Sequence, residues 1–359
     1  MNKRVVVAMS GGVDSSVAAA LLKQRGYEVI GMMMRLWAEP SVNGPAHNRC
    51  CTPGQMADAR RIANLLDIPF YVLDTREVFR RQIVDFFVEG HRRGVTPNPC
   101  LECNRHIRFD WLQGHALALE ADYLATGHHA RIRHSPDGRH QLLRAVDRQK
   151  DQSYVLSVLG QKQLAHTLFP IGDYCKSDVR ELAREFGLPT AAKQDSQDLC
   201  FLGDGDYRRF LRDHNPELLR AGPVLRRDGT QLGEHSGLAN YTIGQRRGLG
   251  INSPVPMYVV DKQARDNALI VAERKEQGAR RLQAERFNWV AGRPPDEKFL
   301  AAVCIRYGAR PQFATVTPLD HSMVDVAFEQ PQVGVAPGQA AVVYADEICL
   351  GGGVIRSAE

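Results

Sequence analysis

The run "RVVVAMSGGVDSSVAAALLKQRG", residues 4 to 26, passes from an apolar strand-length segment through a polar glycine turn into a helix-period segment. The same alternation recurs downstream. "RVVVAM" predicts a buried strand, Ser15 to Arg25 a helix ended by Gly26, and "EVIGMMM" a second strand. "GQMADARRIANLLDIP" places Met56, Ala59, Ile62, Ala63 and Leu66 on one helical stripe that stops before Pro69. "FYVLD" predicts a third strand, and "ADYLATGHHA" a fourth after a helical stretch around Trp111 to Leu119. Strands separated by helices require crossover connections, which leave a parallel sheet covered on both faces. Ligands of such sheets sit beyond the carboxyl ends of the strands.

The pattern changes near residue 205. "GPVLRRDGTQLGEHSG", "YTIGQRRGLGI" and "PMYVVDK" predict a small mixed domain over 206–275. Short alternating runs then recur to the end ("FLAAVCIRYG", "QFATVTPL", "MVDVAFEQ", "QAAVVYADEICLGGGVI") and predict a β-barrel over 276–359. With 359 residues the chain has room for this division into 1–205, 206–275 and 276–359, since domains average roughly 150 residues. Its 43% hydrophobic and 24% charged residues exclude a disordered or membrane-embedded class. The opening "MNKRVVVAMSGG" is too short in its apolar part for a signal peptide or a span, so a cytoplasmic protein without a membrane partner is expected. Eight cysteines with no secretory segment then point to reactive, metal-bound or core thiols rather than a disulfide framework.

Between the first strand and its helix lies "SGGVDSS", Ser10 to Ser16. Backbone N–H groups at a helix N-terminus can surround an anion there, Gly11 and Gly12 permit close approach, and Ser10, Ser15 and Ser16 offer hydroxyls. A glycine turn after a strand can be purely structural, but this one is more polar than a tight turn requires. It lacks the GxxxxGK[ST] spacing of the Walker type, and no GxGxxG run occurs in the chain.

The loop resembles the PP-loop of ATP pyrophosphatases, which cleave ATP between its α and β phosphates to adenylate a substrate. Further motifs, "GVTPNPCLECNRHIRF", "LATGHHAR", "KDQSYVL", "DSQDLCFL", "YTIGQRRGL", "IRYG" and "PGQAAVVY", stand in the order found in tRNA-specific 2-thiouridylases. That resemblance runs from residue 5 to about residue 354. It implies an α/β fold: a Rossmann-like PP-loop domain, a small central domain and a C-terminal β-barrel that contacts tRNA. It also implies sulfur insertion at C2 of the wobble uridine, with ATP and Mg²⁺ as cofactors. Carried onto matching positions, Ala8, Met9, Ser10, Gly11, Gly12, Val13, Asp14, Ser15, Met34 and Gly127 would bind ATP. His128, Lys150, Asp151, Gln152, Arg306, Tyr307 and Gln339 would touch tRNA, with Asn98, Pro99 and Cys100 against the target base. Cys103 and Cys200 would be the catalytic thiols, and the sulfur would come from a persulfide donor, a cysteine desulfurase or a relay protein.

The chemistry asks for the same inventory. Oxide is a hopeless leaving group, so the uracil carbonyl oxygen must first be made a better one, and adenylation does this. The incoming sulfur must be nucleophilic, as a cysteine persulfide is, and a second thiol must break the remaining S–S bond. A thiol with an ordinary pKa of about 8.5 is mostly protonated at neutral pH, so these cysteines want an electropositive setting. Arg105, His106 and Arg108 follow Cys103 and either supply it or face solvent.

The pair Cys100 and Cys103 in "NPCLECN" admits other uses. Zinc would need four ligands, with His47, Cys50 or Cys51 completing the set, and would make this an RNA-binding zinc module. Many members of the resembling family carry an aspartate in the Asn-Pro-Asp run where this chain has Cys100, which puts a carboxylate acid/base in doubt. The substitution also creates three candidate thiolates, Cys100, Cys103 and Cys200, able in principle to hold a [4Fe–4S] cluster with one open iron. Cys50, Cys51, Cys175, Cys304 and Cys349 are otherwise expected to be structural.

Overall fold

The computed structural model describes residues 2–39, 52–193 and 199–359. The N-terminal strands are β1 (Arg4–Ala8), β2 (Glu28–Arg35), β3 (Phe70–Asp74) and β4 (Tyr123–Thr126). A hairpin of β5 (Ala130–His134) and β6 (His140–Arg144) intervenes before the short β7 (Thr167–Leu168). The parallel sheet has the order β3-β2-β1-β4-β7. Val5, Val6 and Val7 of the central strand are wholly buried, as a strand covered on both faces requires. One face packs on helix α1 (Val13–Gln24) and on Ile62 and Ala63 of helix α2 (Pro53–Leu65). The expected α/β parallel sheet is therefore present.

Two composite helices lie beside this sheet. One runs through Arg76–Phe79, a π segment Arg80–Val84 and Asp85–Arg92. The other begins at Pro99–Glu102, continues as π helix over Cys103–Leu112 and ends with Gln113–Ala118. Spacing alone predicted a helix only around Trp111 to Leu119. The π segment starts at Cys103, and π turns concentrate at functional positions because they widen the helix and re-aim its side chains.

The central region contains the helix Tyr207–His214 and a sheet of β8 (Gly222–Arg226), β9 (Gln231–His235), β10 (Met257–Gln263) and β11 (Ala268–Glu273) in the order β10-β11-β8-β9. It is mixed, since β11 and β8 run parallel and the other pairs antiparallel. The C-terminal strands are β12 (Ala279–Trp289), β13 (Phe299–Cys304), β14 (Gln312–Pro318), β15 (Val324–Gln332), β16 (Ala340–Ala345) and β17 (Ile348–Ala358). Their order β12-β15-β14-β13-β16-β17 closes through β12–β17 pairing into a barrel, filled by side chains such as Leu282, Phe287, Val326 and Val343.

The sheets are not independent. Hairpin strand β6 pairs with β17, Leu143 opposite Ile348 and Leu142 opposite Cys349. One apolar cluster runs from Val6, Leu112 and Leu124 beneath the parallel sheet to Val342, Tyr344 and Cys349 of the barrel. Cys349 and Cys304 are core residues, as expected. No described helix is long and apolar enough to cross a membrane.

Candidate active site

Residues 8–15 leave the carboxyl end of β1 and enter α1, whose N-cap, Gly12, makes no side-chain capping bond. The first N–H groups of α1 are thus left for a ligand. The loop is tightly packed. Gly11 has φ +71°, and a Cβ there would collide with the Gln55 carbonyl. Gly127, past the end of β4, would bring a Cβ to 2.6 Å from the Ser15 nitrogen. Ser15 Oγ accepts from the Ser10 N–H at 3.1 Å, and Ser16 Oγ donates to the Gly12 carbonyl at 2.7 Å. Met34 lies near the end of β2, so the sequence-derived nucleotide residues gather at the carboxyl ends of β1, β2 and β4.

Asp14 does not stand alone. Lys176 Nζ donates to its two carboxylate oxygens at 2.6 and 2.8 Å, and His129 Nε2 approaches at 3.5 Å. At that distance the His129 contact is electrostatic rather than a hydrogen bond, and neither ring nitrogen of this 3% exposed histidine has a hydrogen-bond partner among the described residues. Burial works to raise the Asp14 carboxyl, but His129 and Lys176 together outweigh it and hold it below the usual carboxylate range. Lys193 Nζ donates to the Gly11 carbonyl at 2.9 Å and to Asp58 at 3.0 Å. For Mg²⁺ the loop offers one carboxylate. That suits an ion whose remaining ligands are phosphate oxygens and water.

The thiols pack at the carboxyl end of β2, the strand paired with β1. Cys103 is 7% exposed and packs with Phe79, Ile107 and Phe201, while Cys200 is partly buried against the same cluster. Met34 and Leu36, from the end of β2 and the residue after it, belong to that cluster too. Cys100 is exposed. Among the described residues no group of three His, Cys, Asp or Glu side chains converges to hold a metal ion. Cys100, Cys103 and Cys200 as arranged do not form a cluster cradle, and His47, Cys50 and Cys51 of the zinc reading lie outside the described residues.

The basic residues after Cys103 turn inward. Glu102 Oε2 accepts from Arg286 Nη2 of β12 at 2.8 Å and meets His106 Nε2 at 3.1 Å. Burial works to raise the Glu102 carboxyl, but the bonds from His106 and Arg286 outweigh it and hold it at about 2. Arg286 reaches it from a bulge in β12, with φ 51°. Arg105 is partly buried, its Nε and Nη2 without a partner among the described residues, and Arg108 Nη1 bonds Asn104 Oδ1 at 3.2 Å. Sequence reasoning missed Arg286, Lys176, Lys193 and His129. No spacing links the first three to the loop, although His129 stood in a motif already singled out.

The residues expected at tRNA divide into two sets. Asn98 caps the helix that begins at Pro99, its Oδ1 accepting from the Leu101 N–H at 3.2 Å. Half-exposed Tyr307 lies near Cys100, Lys150 and Asp151; burial and then Asp151 raise its pKa, while Lys150 works against them. Arg306 precedes it in the β13–β14 connection. His128 is buried instead, with Nδ1 2.7 Å from Thr126 Oγ1 and Nε2 3.2 Å from Arg108 Nη1. The Asp151 carboxylate is occupied by Arg144, Ser153 and the Ala145 N–H. Gln152 Oε1 accepts from the His129 N–H, and Gln339 Nε2 donates to the Thr96 carbonyl.

Three family profiles match in succession: "tRNA methyl transferase HUP domain" over residues 3–204, "tRNA methyl transferase PRC-barrel domain" over 208–273 and "Aminomethyltransferase beta-barrel domain" over 279–355. The tRNA-specific 2-thiouridylase MnmA of Carboxydothermus hydrogenoformans is 47% identical over 357 residues, 99% of this chain and 98% of its own. The enzyme of the same name from Chloroflexus aurantiacus is 47% identical over 355 residues, 99% of each chain. Among solved structures, the U34-tRNA thiolase NcsA from Methanococcus maripaludis with its [4Fe-4S] cluster is 20% identical, covers 60% of this chain and 67% of its own, and superposes with a TM-score of 0.36, too loosely to bear on the thiols. The profile descriptions speak of methyl transfer, yet the relatives that match end to end are thiouridylases. Identity at that level over the whole chain outweighs the wording attached to single domains. The chain belongs to the tRNA-specific 2-thiouridylase family.

Proposed function

We propose that this chain replaces the C2 oxygen of the wobble uridine of tRNA by sulfur, activating that oxygen with ATP and taking the sulfur from a cysteine persulfide. The observation that carries the reading is the placement of Cys103 and Cys200 in one packed cluster with Met34 and Leu36, at the carboxyl end of β2, the strand paired with β1. Activation and sulfur delivery then share one edge of the parallel sheet. The loop residues 8–15, Met34 and Gly127 bind ATP, and Asp14 would hold Mg²⁺, which supplies charge neutralisation at the phosphates.

The atoms balance as follows. The uracil oxygen attacks the α phosphorus and pyrophosphate leaves, giving an O2-adenylated base. The terminal sulfur of a persulfide on one of Cys103 and Cys200 attacks C2, and AMP departs with the original oxygen. The other thiolate attacks the cysteine sulfur of the remaining S–S bond, so the C2 sulfur keeps the bonding pair and a Cys103–Cys200 disulfide forms. A dithiol reductant and a persulfide donor, a desulfurase or relay protein, reset the enzyme. Asn98, Pro99 and Cys100 lie against the target base, while Lys150, Gln152, Arg306, Tyr307 and Gln339 contact the tRNA around it. His128 and Asp151 act on the RNA through their neighbours, since both are engaged inside the protein. The division of labour follows segments 1–205, 206–275 and 276–359.

The test is an incubation with tRNA, ATP and a persulfide donor, followed by mass spectrometry of the nucleosides and separation of the nucleotides. The expected products are 2-thiouridine, AMP and pyrophosphate; ADP and phosphate would overturn the reading.

A further inference from the structure

The phosphate loop contains no lysine or arginine. From Ala8 to Ser16 its only charge is negative, that of Asp14. A helix N-terminus contributes about half an elementary charge, too little to neutralise both a triphosphate and a carboxylate among its oxygens. Two lysines from the far end of the domain make up the deficit. Lys176, only 11% exposed in its side chain, lies on Asp14, and its own N–H donates to Asp147 Oδ2 at 3.0 Å. Lys193 lies on the Gly11 carbonyl, in a segment whose Ala191 and Lys193 carbonyls accept from Arg180 Nη1, both at 3.0 Å. The unpartnered ring of His129 faces the same carboxylate.

We propose that Lys176 and Lys193 are the phosphate-binding cations of this site, and that Asp14 is the resting partner of Lys176, which it yields when nucleotide binds. The inference rests on the ATP reading of the loop and goes beyond it by assigning the charge that the loop lacks. It accounts for a mostly buried ammonium held against the loop carboxylate but supplied by a segment more than 150 residues away. It also makes Asp14 a competitor: its carboxylate and a phosphate want the same ammonium.

Pyrophosphate, AMP and ATP titrations of the intact chain in EDTA separate the possibilities. Lys176→Ala and Lys193→Ala are each expected to weaken pyrophosphate binding about tenfold and AMP binding less than twofold, with Lys176→Arg close to the parent. Asp14→Asn is expected to tighten metal-free pyrophosphate severalfold, and the gain should vanish in Asp14→Asn/Lys176→Ala. Lysine variants that bind pyrophosphate as the parent does would overturn the proposal. So would parallel loss of AMP and pyrophosphate, which marks a structural clamp, or an Asp14→Asn variant that binds pyrophosphate no tighter. A parent chain that makes 2-thiouridine while its lysine variants keep full pyrophosphate affinity would sink this proposal alone. A parent that binds neither ATP nor pyrophosphate would sink the functional reading with it.

Discussion

Each of the three cysteines near the site has a different environment, and the reaction assigns them different fates. In the proposed reaction Cys103 and Cys200 make and break covalent S–S bonds, so Cys103→Ser and Cys200→Ser should each abolish 2-thiouridine formation. Exposed Cys100 is no party to those bonds. Cys100→Ser should therefore keep measurable activity, lowered by no more than the ~10² to 10⁴ typical of a proton-transfer group. Nucleoside mass spectrometry with the metal-free enzyme checks the series, and equal inactivity of all three with parallel loss of iron would reverse it. Gly11 offers a second single-residue test. Its left-handed backbone costs a side chain about 1–2 kcal/mol, and the Gln55 carbonyl blocks a Cβ in addition. Gly11→Ala should cost ATP affinity at least tenfold. Gly12→Ala, whose nearest obstacle is the movable Ser10 Oγ at 3.3 Å, should lose much less in the same calorimetric titration.

At the scale of elements, the π helix from Cys103 to Leu112 carries the thiol, and β12 of the barrel reaches it through Arg286 and Glu102. Removing that guanidinium takes one of the two hydrogen-bond partners, Arg286 and His106, from a buried carboxylate oxygen. Arg286→Ala should destabilise the protein by about 1–3 kcal/mol in denaturant unfolding and slow sulfur transfer more than pyrophosphate release. The contrast between what local pattern reveals and what it hides is clearest here. Strands β1 to β4 were legible as short apolar runs between helix-period segments, and β13 to β17 as short apolar runs recurring between turns. The Ser-Gly-Gly-x-Asp-Ser loop announced itself by its polarity. The π segments left no trace, since a π turn differs from an α turn in hydrogen-bond register and not in composition. Nor could spacing reveal Lys176, Lys193 or Arg286, each brought to its partner by tertiary packing. His128 and Asp151 stood in recognisable motifs, but only the fold places them inside the protein.

Across the whole molecule, charge is more internally spent than the sequence suggests. Arg131 and Arg133 pair with Glu347, Arg139 with Asp137 and Arg144 with Asp151. The basic stretch from 131 to 150 should therefore contribute few phosphate contacts. Lys150→Ala is expected to reduce the log–log salt slope of tRNA binding by roughly 0.7 to 0.9, the weight of one phosphate, while Arg131→Ala leaves the slope nearly unchanged. Acid stability is a second global property. Burial, and secondarily Lys262, depresses His91 to about 3, so below its ordinary pKa near 6.5 the unfolded chain takes up a proton that the folded one refuses. Stability should fall by a few kcal/mol as pH drops from about 6.5 toward 3, and His91→Leu should flatten that part of the urea midpoint against pH. The β6–β17 pairing has a consequence in time. Leu143 waits for Ile348, which leaves the ribosome roughly 200 residues later, or roughly 10–40 s at 5–20 residues per second. Throughout that interval the outer edge of β6 has no strand to pair with, so the junction between the parallel sheet and the barrel cannot close until β17 emerges.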